Sequence, residues 1–247
     1  MNQHKKFIMT PISNILQQAI LATNNIGNGI ETFPLADYIL QSVFIKMTGA
    51  QEQKMKCLMW EIAHNDFEFR YKFLQKAHGE YSNYEDKQKV YNSLIKQILI
   101  VDKNFLIKDK IDKLNILAAS KLEKLLKNSN LIIWSEKGFI NYKKLWSEIQ
   151  FKHFANQNNA LLETTLTDNG KMSLRNLYEE HLYKNRNRIA HNTKSYQHNL
   201  PTLNSLKNEN FIFENYFLWF STLILIDHIF MELYKVYLEK LNQKKFI

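Results

Sequence analysis

A short stretch in the last third of the chain combines the residue types that cleave a phosphodiester without a metal ion. Residues 184–192 read Lys-Asn-Arg-Asn-Arg-Ile-Ala-His-Asn, contain no acid, and place Arg186 five positions before His191. Arginine offers a planar fork of N–H donors that matches phosphate oxygens, and histidine takes up or releases a proton near neutral pH. These two side chains indicate metal-independent phosphodiester cleavage as the chemistry to test.

A second pair with similar spacing, Arg175 and His181, shows that the spacing alone is weak evidence. At about 100° of rotation per residue, these two side chains point about 120° apart in an α-helix. The acids Glu179 and Glu180 stand beside them and would repel a phosphate. We therefore predict that the Arg175 pair belongs to an ordinary surface helix.

The neighbours of Arg186 and His191 favour the first pair. Asn187 lies one helical turn before His191 on the same face, so its amide can orient the imidazole, and Ala190 leaves room beside it. The surroundings are basic through Lys184, Arg188 and Lys194. In a regular helix Arg186 and His191 still point about 140° apart. Either the helix loosens near Ala190 or a second copy of the chain completes the site.

The composition favours an all-α protein with an anionic partner. The 247 residues are 45% hydrophobic and include only 6 glycines and 3 prolines, whereas sheet-rich folds need more turn residues. The net charge of +9 suggests nucleic acid as a partner, with a lysine-rich coding bias as the alternative. Lysines within 81–150 carry much of this surplus, and they are more typical of a solvated helix face than of an RNA groove.

The chain shows no pattern of a secreted or membrane-spanning protein. Its single cysteine, Cys57, cannot form an internal disulfide and fits a reducing compartment. No long apolar stretch follows the N-terminal charges, and the most apolar run, 216–226, is too short to cross a bilayer. We therefore expect a soluble, cytoplasmic protein. No cysteine or histidine pair has metal-ligand spacing, so no metal or cofactor is predicted.

Apolar residues that recur every three to four positions predict a bundle of about seven helices. The helices are expected from Thr10 to the turn residues that begin at Asn24, over 35–78 with a break or kink at Gly49, and over 85–100, 107–127, 141–155, 173–191 and 213–242. The polar stretches 157–170 and 192–210 are expected to be loops. Since neither flanks a separate core, we predict one domain over 1–247, with 81–155 as a candidate inserted helical subdomain.

The stretch Arg186-Asn187-Arg188-Ile189-Ala190-His191-Asn192 resembles the R-N-x-x-x-H motif of the HEPN superfamily. Residues 38–63 are similar to the early helices of HEPN proteins tied to bacterial defence, whereas 81–155 match no part of the family. The resemblance implies an all-α bundle that forms a homodimer, with the motifs of two protomers meeting at one site. It also implies a metal-independent endoribonuclease of phage defence, toxin–antitoxin systems or RNA processing.

The chemistry also follows from the side chains. Neutral His191 can take the proton of a ribose 2′-hydroxyl while a protonated copy from the partner chain protonates the leaving 5′ oxygen. Arg186 would hold the non-bridging oxygens, and Asn187 would orient His191 or contact the same phosphate. The products would be a 2′,3′-cyclic phosphate and a 5′-hydroxyl. Further contacts to single-stranded or looped RNA are expected from Lys184, Arg188, Asn192 and Lys194.

Two other interpretations remain open at this stage. A non-catalytic module of the same fold could bind RNA or a protein partner, such as an antitoxin, without needing His191. A purely structural bundle could carry the motif by coincidence.

Overall fold

The computed structural model describes residues 2–24, 26–27, 29, 32–75, 79–127, 129–148, 174–190 and 213–244. These residues form helices and connecting turns with no strand among them, which confirms the predicted all-α helical bundle. They contain more helical segments than expected, because two short helices were not predicted and two long helical stretches are interrupted.

The N-terminal region forms two helices, α1 (Gln3–Met9) and α2 (Ser13–Thr23). The side chain of Asn2 caps α1 by accepting a hydrogen bond from the backbone N–H of His4 at 3.0 Å. The prediction covered α2 and missed α1, whose seven residues are too few to show a helical pattern.

The long helix α3 (Phe33–Asn65) runs through Gly49, so of the break or kink expected at that glycine, the break is wrong. A glycine inside a helix costs only about 1 kcal/mol relative to alanine, and the buried neighbours Met47 and Met55 offset that cost by packing. The break occurs at Asp66, whose backbone is extended and whose carboxylate accepts from the N–H of Phe69 at 2.8 Å. This cap starts α4 (Phe67–Leu74).

Four helices follow between residues 84 and 148. They are α5 (Tyr84–Val101), α6 (Lys108–Leu126), α7 (Asn130–Trp134) and α8 (Glu136–Glu148). Asn83 caps α5 by accepting from the N–H of Asp86 at 2.7 Å. Buried residues of these helices belong to the same hydrophobic core as those of α2, α3 and the last helix. The middle of the chain therefore shares its core with the rest of the bundle.

The helix that carries the Arg186 stretch changes type along its length. It consists of α9 (Leu174–Asn176), the π-helix π1 (Leu177–Tyr183) and α10 (Lys184–Ala190). The sequence predicted an uninterrupted α-helix here. π-helical turns are rare and frequently occur next to functional sites, and this one ends directly before the motif.

The last helix, α11 (Tyr216–Lys244), is the centre of the bundle and confirms the predicted final helix. Helices α3, α5, α6 and α8 pack against it. By length and composition α11 is apolar enough to span a membrane, yet 78% of its apolar window is buried against the other helices. Such burial is typical of the core helix of a bundle.

Candidate functional site

Arg186 is held at the start of α10 by two side-chain acceptors. Its Nη2 donates to Glu52 Oε1 at 2.9 Å and to Glu52 Oε2 at 3.2 Å, and its Nη1 donates to Asn187 Oδ1 at 3.0 Å. The Arg186 side chain is 22% exposed and that of Glu52 is 11% exposed. Among the described residues, no partner occupies Nε–H or the second N–H of Nη1. The guanidinium is fixed in direction and keeps donors for a phosphate.

Glu52 was not predicted as a site residue, although the sequence contains a signal for it. It lies 134 positions before Arg186 and reaches it because α3 packs against α10. Along α3, Glu52 is three residues before buried Met55 and four after buried Thr48, so it falls on the inward side of the helix. A carboxylate at such a position needs a cation or several donors.

Lys87, on the first turn of α5, lies buried beside this ion pair. Its side chain is 2% exposed, and its Nζ donates to the backbone oxygens of Tyr81 at 2.8 Å and Ser82 at 3.1 Å. The same nitrogen lies 4.8 Å from the centre of the Tyr178 ring. Burial, assisted by the positive charge of Arg186, lowers the pKa of Lys87 from 10.5 to about 7. The negative charge of Glu52 acts in the opposite direction and raises this pKa.

The π-helix supplies Tyr178 to the same cluster. The Tyr178 hydroxyl donates to the backbone oxygen of Ser82 at 2.7 Å, so Tyr178 and Lys87 converge on one carbonyl. Burial raises the pKa of Tyr178, and the charge of Glu52 raises it further. The phenol therefore stays protonated and remains a donor. Its position explains why π1 matters to the site: the segment that carries Tyr178 leads directly into Arg186.

The segment 79–83 connects this cluster to α3. Glu80 pairs with Lys56 Nζ at 2.5 Å, and this hydrogen bond, followed by the charges of Lys56 and Arg186, lowers the pKa of Glu80. Tyr81 has a left-handed backbone with φ of 58°, which is uncommon for a residue other than glycine. Because the Tyr81 carbonyl accepts from Lys87, this unusual conformation is supported by a buried hydrogen bond.

Two residues that were predicted to contact RNA point away from Arg186 in the structure. In α10, Lys184 and Arg188 point about 160° away from Arg186. Lys184 pairs with Glu180, and Arg188 Nη1 lies 3.9 Å from Glu214 Oε1. The stretch is thus free of acids in sequence only, because folding brings glutamates to each of its cations. Contact of Lys184 and Arg188 with RNA stays a prediction.

Asn185 has a structural role at the junction between π1 and α10. It is 5% exposed, and its Nδ2 donates to the backbone oxygen of His181 at 2.9 Å. This bond satisfies a carbonyl where the helix changes type.

Three predicted site residues, His191, Asn192 and Lys194, lie outside the described residues. Their roles as proton-transfer group and RNA contacts stay predictions, as does completion of the site by a second copy.

The second Arg–His pair is engaged in contacts within the bundle. Arg175 Nε donates to Glu179 Oε2 at 3.0 Å, its Nη2 lies 3.9 Å from Glu85, and its guanidinium covers the Tyr84 ring at 5.5 Å. The His181 ring lies 5.2 Å from that of Phe213, and burial lowers its pKa. An arginine balanced by two carboxylates and a half-buried histidine make a poor phosphate site.

No family model, no curated protein and no solved structure matches this chain. Within the described ranges, no group of three or more His, Cys, Asp or Glu side chains is placed to hold a metal ion.

Proposed function

We propose that this chain is a metal-independent endoribonuclease of the HEPN type. The observation that carries the proposal is the state of Arg186: Glu52 and Asn187 hold its guanidinium, which is partly exposed and keeps two N–H groups without a partner among the described residues. A donor fixed in this way can oppose the charge that builds on phosphate oxygens without reorganising during the reaction.

In the proposed reaction, the ribose 2′-oxygen forms a bond to the adjacent phosphorus as the bond to the 5′ oxygen breaks. Neutral His191 takes the 2′-hydroxyl proton, and a protonated His191, supplied by the partner chain, gives a proton to the leaving oxygen. Arg186 binds the non-bridging oxygens, and Asn187 helps to orient the guanidinium by accepting a hydrogen bond from its Nη1. The products are a 2′,3′-cyclic phosphate and a 5′-hydroxyl.

The proposal includes the setting in which such an activity is used. The substrate is single-stranded or looped RNA, the active form is a homodimer, and the protein works in the cytoplasm in phage defence or as a toxin held by a partner protein. The formal charge of +9 supports an anionic substrate. No metal or cofactor takes part in the proposed steps.

A second function, a non-catalytic module that binds RNA or a partner protein, is favoured by one observation. The ion pair between Arg186 and Glu52 already compensates both charges. An arginine paired in this way can stabilise the bundle without contacting a phosphate. RNA binding without turnover would support this alternative.

The test is cleavage of end-labelled RNA in EDTA by the wild type and by His191→Ala and Arg186→Ala. Loss of Arg186 is expected to slow cleavage by about 10²- to 10³-fold, the range for one preorganised charge donor. The second Arg–His pair provides matched controls, since Arg175→Lys and His181→Ala should cleave at the wild-type rate. Equal cleavage by the wild type and His191→Ala would remove the proposal.

A further inference from the structure

We propose that the groove between α4 and α5 binds unpaired RNA nucleotides that flank the scissile phosphate. The groove has a volume of about 580 Å³, and polar, basic and aromatic side chains line it. Asp86, on the first turn of α5, and Ile100, near its end, both line the groove, which gives it a length of about 21 Å. This inference rests on the proposed function only in assigning Arg186 to the scissile phosphate.

The groove adjoins Arg186 along one face of α3. Glu52, Lys56 and Met59 follow each other at four and three positions, so they lie on the same side of this helix. Glu52 binds Arg186, and Lys56 Nζ binds Glu80 Oε2 at 2.5 Å. Met59 lines the groove, as do both chain neighbours of Glu80. Since Met59 is about 10 Å along α3 from Glu52, a strand held at Arg186 reaches the groove within a few nucleotides.

Two lysines on opposite sides of the groove are placed to bind phosphate groups. Lys72 on α4 and Lys96 on α5 are both exposed, and both line the groove. Neither forms an ion pair with a carboxylate of the described residues. An exposed ammonium without an acidic partner attracts the phosphates of a nucleic acid strand.

The groove is lined by as many acids as lysines, but two of the three acids are engaged in hydrogen bonds. Asp86 is only 8% exposed, and its Oδ1 accepts from Lys89 Nζ at 2.9 Å. Asp66 accepts two hydrogen bonds at 2.8 Å, one from a backbone N–H of α4 and one from Gln97. The third acid, Glu68, is exposed at the end of the groove far from the Arg186 ion pair. The charge on the open side of the groove is therefore mainly positive.

The aromatic rings of α4 that line the groove suit unpaired bases. Phe69 and Phe73 lie one turn apart and are only partly buried, with ring centroids separated by 6.0 Å and ring planes inclined by 18°. Bases of a single strand stack on such rings with little regard to sequence, whereas paired bases are hidden in the duplex. Across the groove, Asn92 and Ser93 on α5 offer an amide and a hydroxyl for base edges and 2′-hydroxyls.

The test is the affinity for a fluorescein-labelled adenosine–cytidine dodecamer, measured by anisotropy over a range of salt concentrations. His191→Ala serves as the parent protein, so that the RNA stays uncut. Lys72→Gln combined with Lys96→Gln should weaken binding about tenfold and reduce the slope of log affinity against log salt by about 1.4, which is about 0.7 for each phosphate contact. Lys124→Gln combined with Lys144→Gln removes the same charge from exposed positions of α6 and α8 and should bind like the parent. Equal affinities of the two double variants, or no binding of RNA by the parent, would overturn the inference.

Photocrosslinking locates the strand without any change to the groove. The RNA carries 5-iodouridine at one position at a time, and mass spectrometry identifies the peptide that it crosslinks under ultraviolet light. We expect crosslinks to Phe69 or Phe73 from at least one position. Crosslinks confined to other parts of the surface would contradict the inference.

A dinucleotide substrate separates this inference from the proposed function, because it carries only the phosphate to be cut and is too short to reach the groove. In the Lys72→Gln, Lys96→Gln variant, kcat/KM for the dodecamer should fall about tenfold relative to kcat/KM for the dinucleotide. An unchanged ratio in a protein that cleaves both RNAs would support the proposed function and overturn the inference. A chain that cleaves neither RNA but shows the expected binding and crosslinks would do the reverse.

Discussion

Replacement of Lys87 by methionine should change how the stability of the protein depends on pH. In the unfolded chain Lys87 has its ordinary pKa of 10.5, whereas burial lowers the folded-state pKa to about 7. Between these two values the unfolded chain binds a proton that the folded chain does not, so the free energy of unfolding rises with pH. The full difference of about 3.5 in pKa corresponds to about 5 kcal/mol. This contribution is complete above about pH 10.5 and is lost as the pH falls to about 7.

Urea denaturation at pH 7 and pH 9 measures this effect directly. At pH 7 the folded protein still binds about half a proton at Lys87, so the step from pH 7 to pH 9 corresponds to about 2.3 kcal/mol. The wild type should gain this amount relative to Lys87→Met, since the other titrating groups are common to both proteins. The Met variant also loses the hydrogen bonds to the Tyr81 and Ser82 carbonyls, which shifts its curve at every pH. Parallel stability–pH curves for the two proteins would refute the reasoning.

Two further predictions concern other ion pairs. Glu52→Gln should tighten binding of a short oligoribonucleotide, because it removes an anion that competes with the phosphate, and slow its cleavage about tenfold, because it removes the charge-assisted bond that orients Arg186. Fluorescence anisotropy measures the binding and single-turnover kinetics the cleavage rate. Faster cleavage by the variant would contradict the prediction. Asp227→Asn should lower the free energy of unfolding by about 3–5 kcal/mol, because Lys54 Nζ lies 2.6 Å from Asp227 in the core and would lose its anionic partner. The double variant Lys54→Met with Asp227→Asn should recover much of this loss in urea denaturation. If it recovers none, the ion pair is not the cause of the loss.

Local pattern was sufficient to predict the fold class and several of the helices. Scarce glycine and proline predicted an all-α chain, and the apolar periodicity of 213–242 predicted α11, observed as Tyr216–Lys244. The interruption of α3 was placed at Gly49 rather than at Asp66. A single glycine is a weak helix breaker, whereas a side chain that can cap the next helix stops one effectively.

The π-helix before the motif could not be predicted from periodicity. Leu177, Tyr178 and Leu182 are buried residues whose spacing suits an α-helix equally well. In the folded protein the Tyr178 hydroxyl binds Ser82, 96 positions earlier in the chain, and this contact depends on tertiary packing. Local sequence therefore specified a helix at this position without specifying its type.

The candidate site was predicted in part. The sequence pointed to Arg186 and Asn187, which the structure joins by a hydrogen bond. The carboxylate that holds Arg186, that of Glu52, comes from far away in the chain. No local sequence pattern predicts such a long-range contact, although an acid on the inward face of α3 indicates that it has a buried partner. The exposed cations Lys184 and Arg188, in contrast, looked available in sequence, and the structure places Glu180 and Glu214 beside them.

Analysis of the ends formed when the wild-type protein cleaves RNA in EDTA tests the central claim most directly. The proposed mechanism predicts a 2′,3′-cyclic phosphate and a 5′-hydroxyl at each cut, and no cut where the attacking ribose is replaced by a 2′-deoxyribose. Both results follow from attack by the 2′-hydroxyl, the nucleophile in the proposed mechanism. A 5′-phosphate at the cut, or cleavage that persists beside the deoxyribose, would contradict the account.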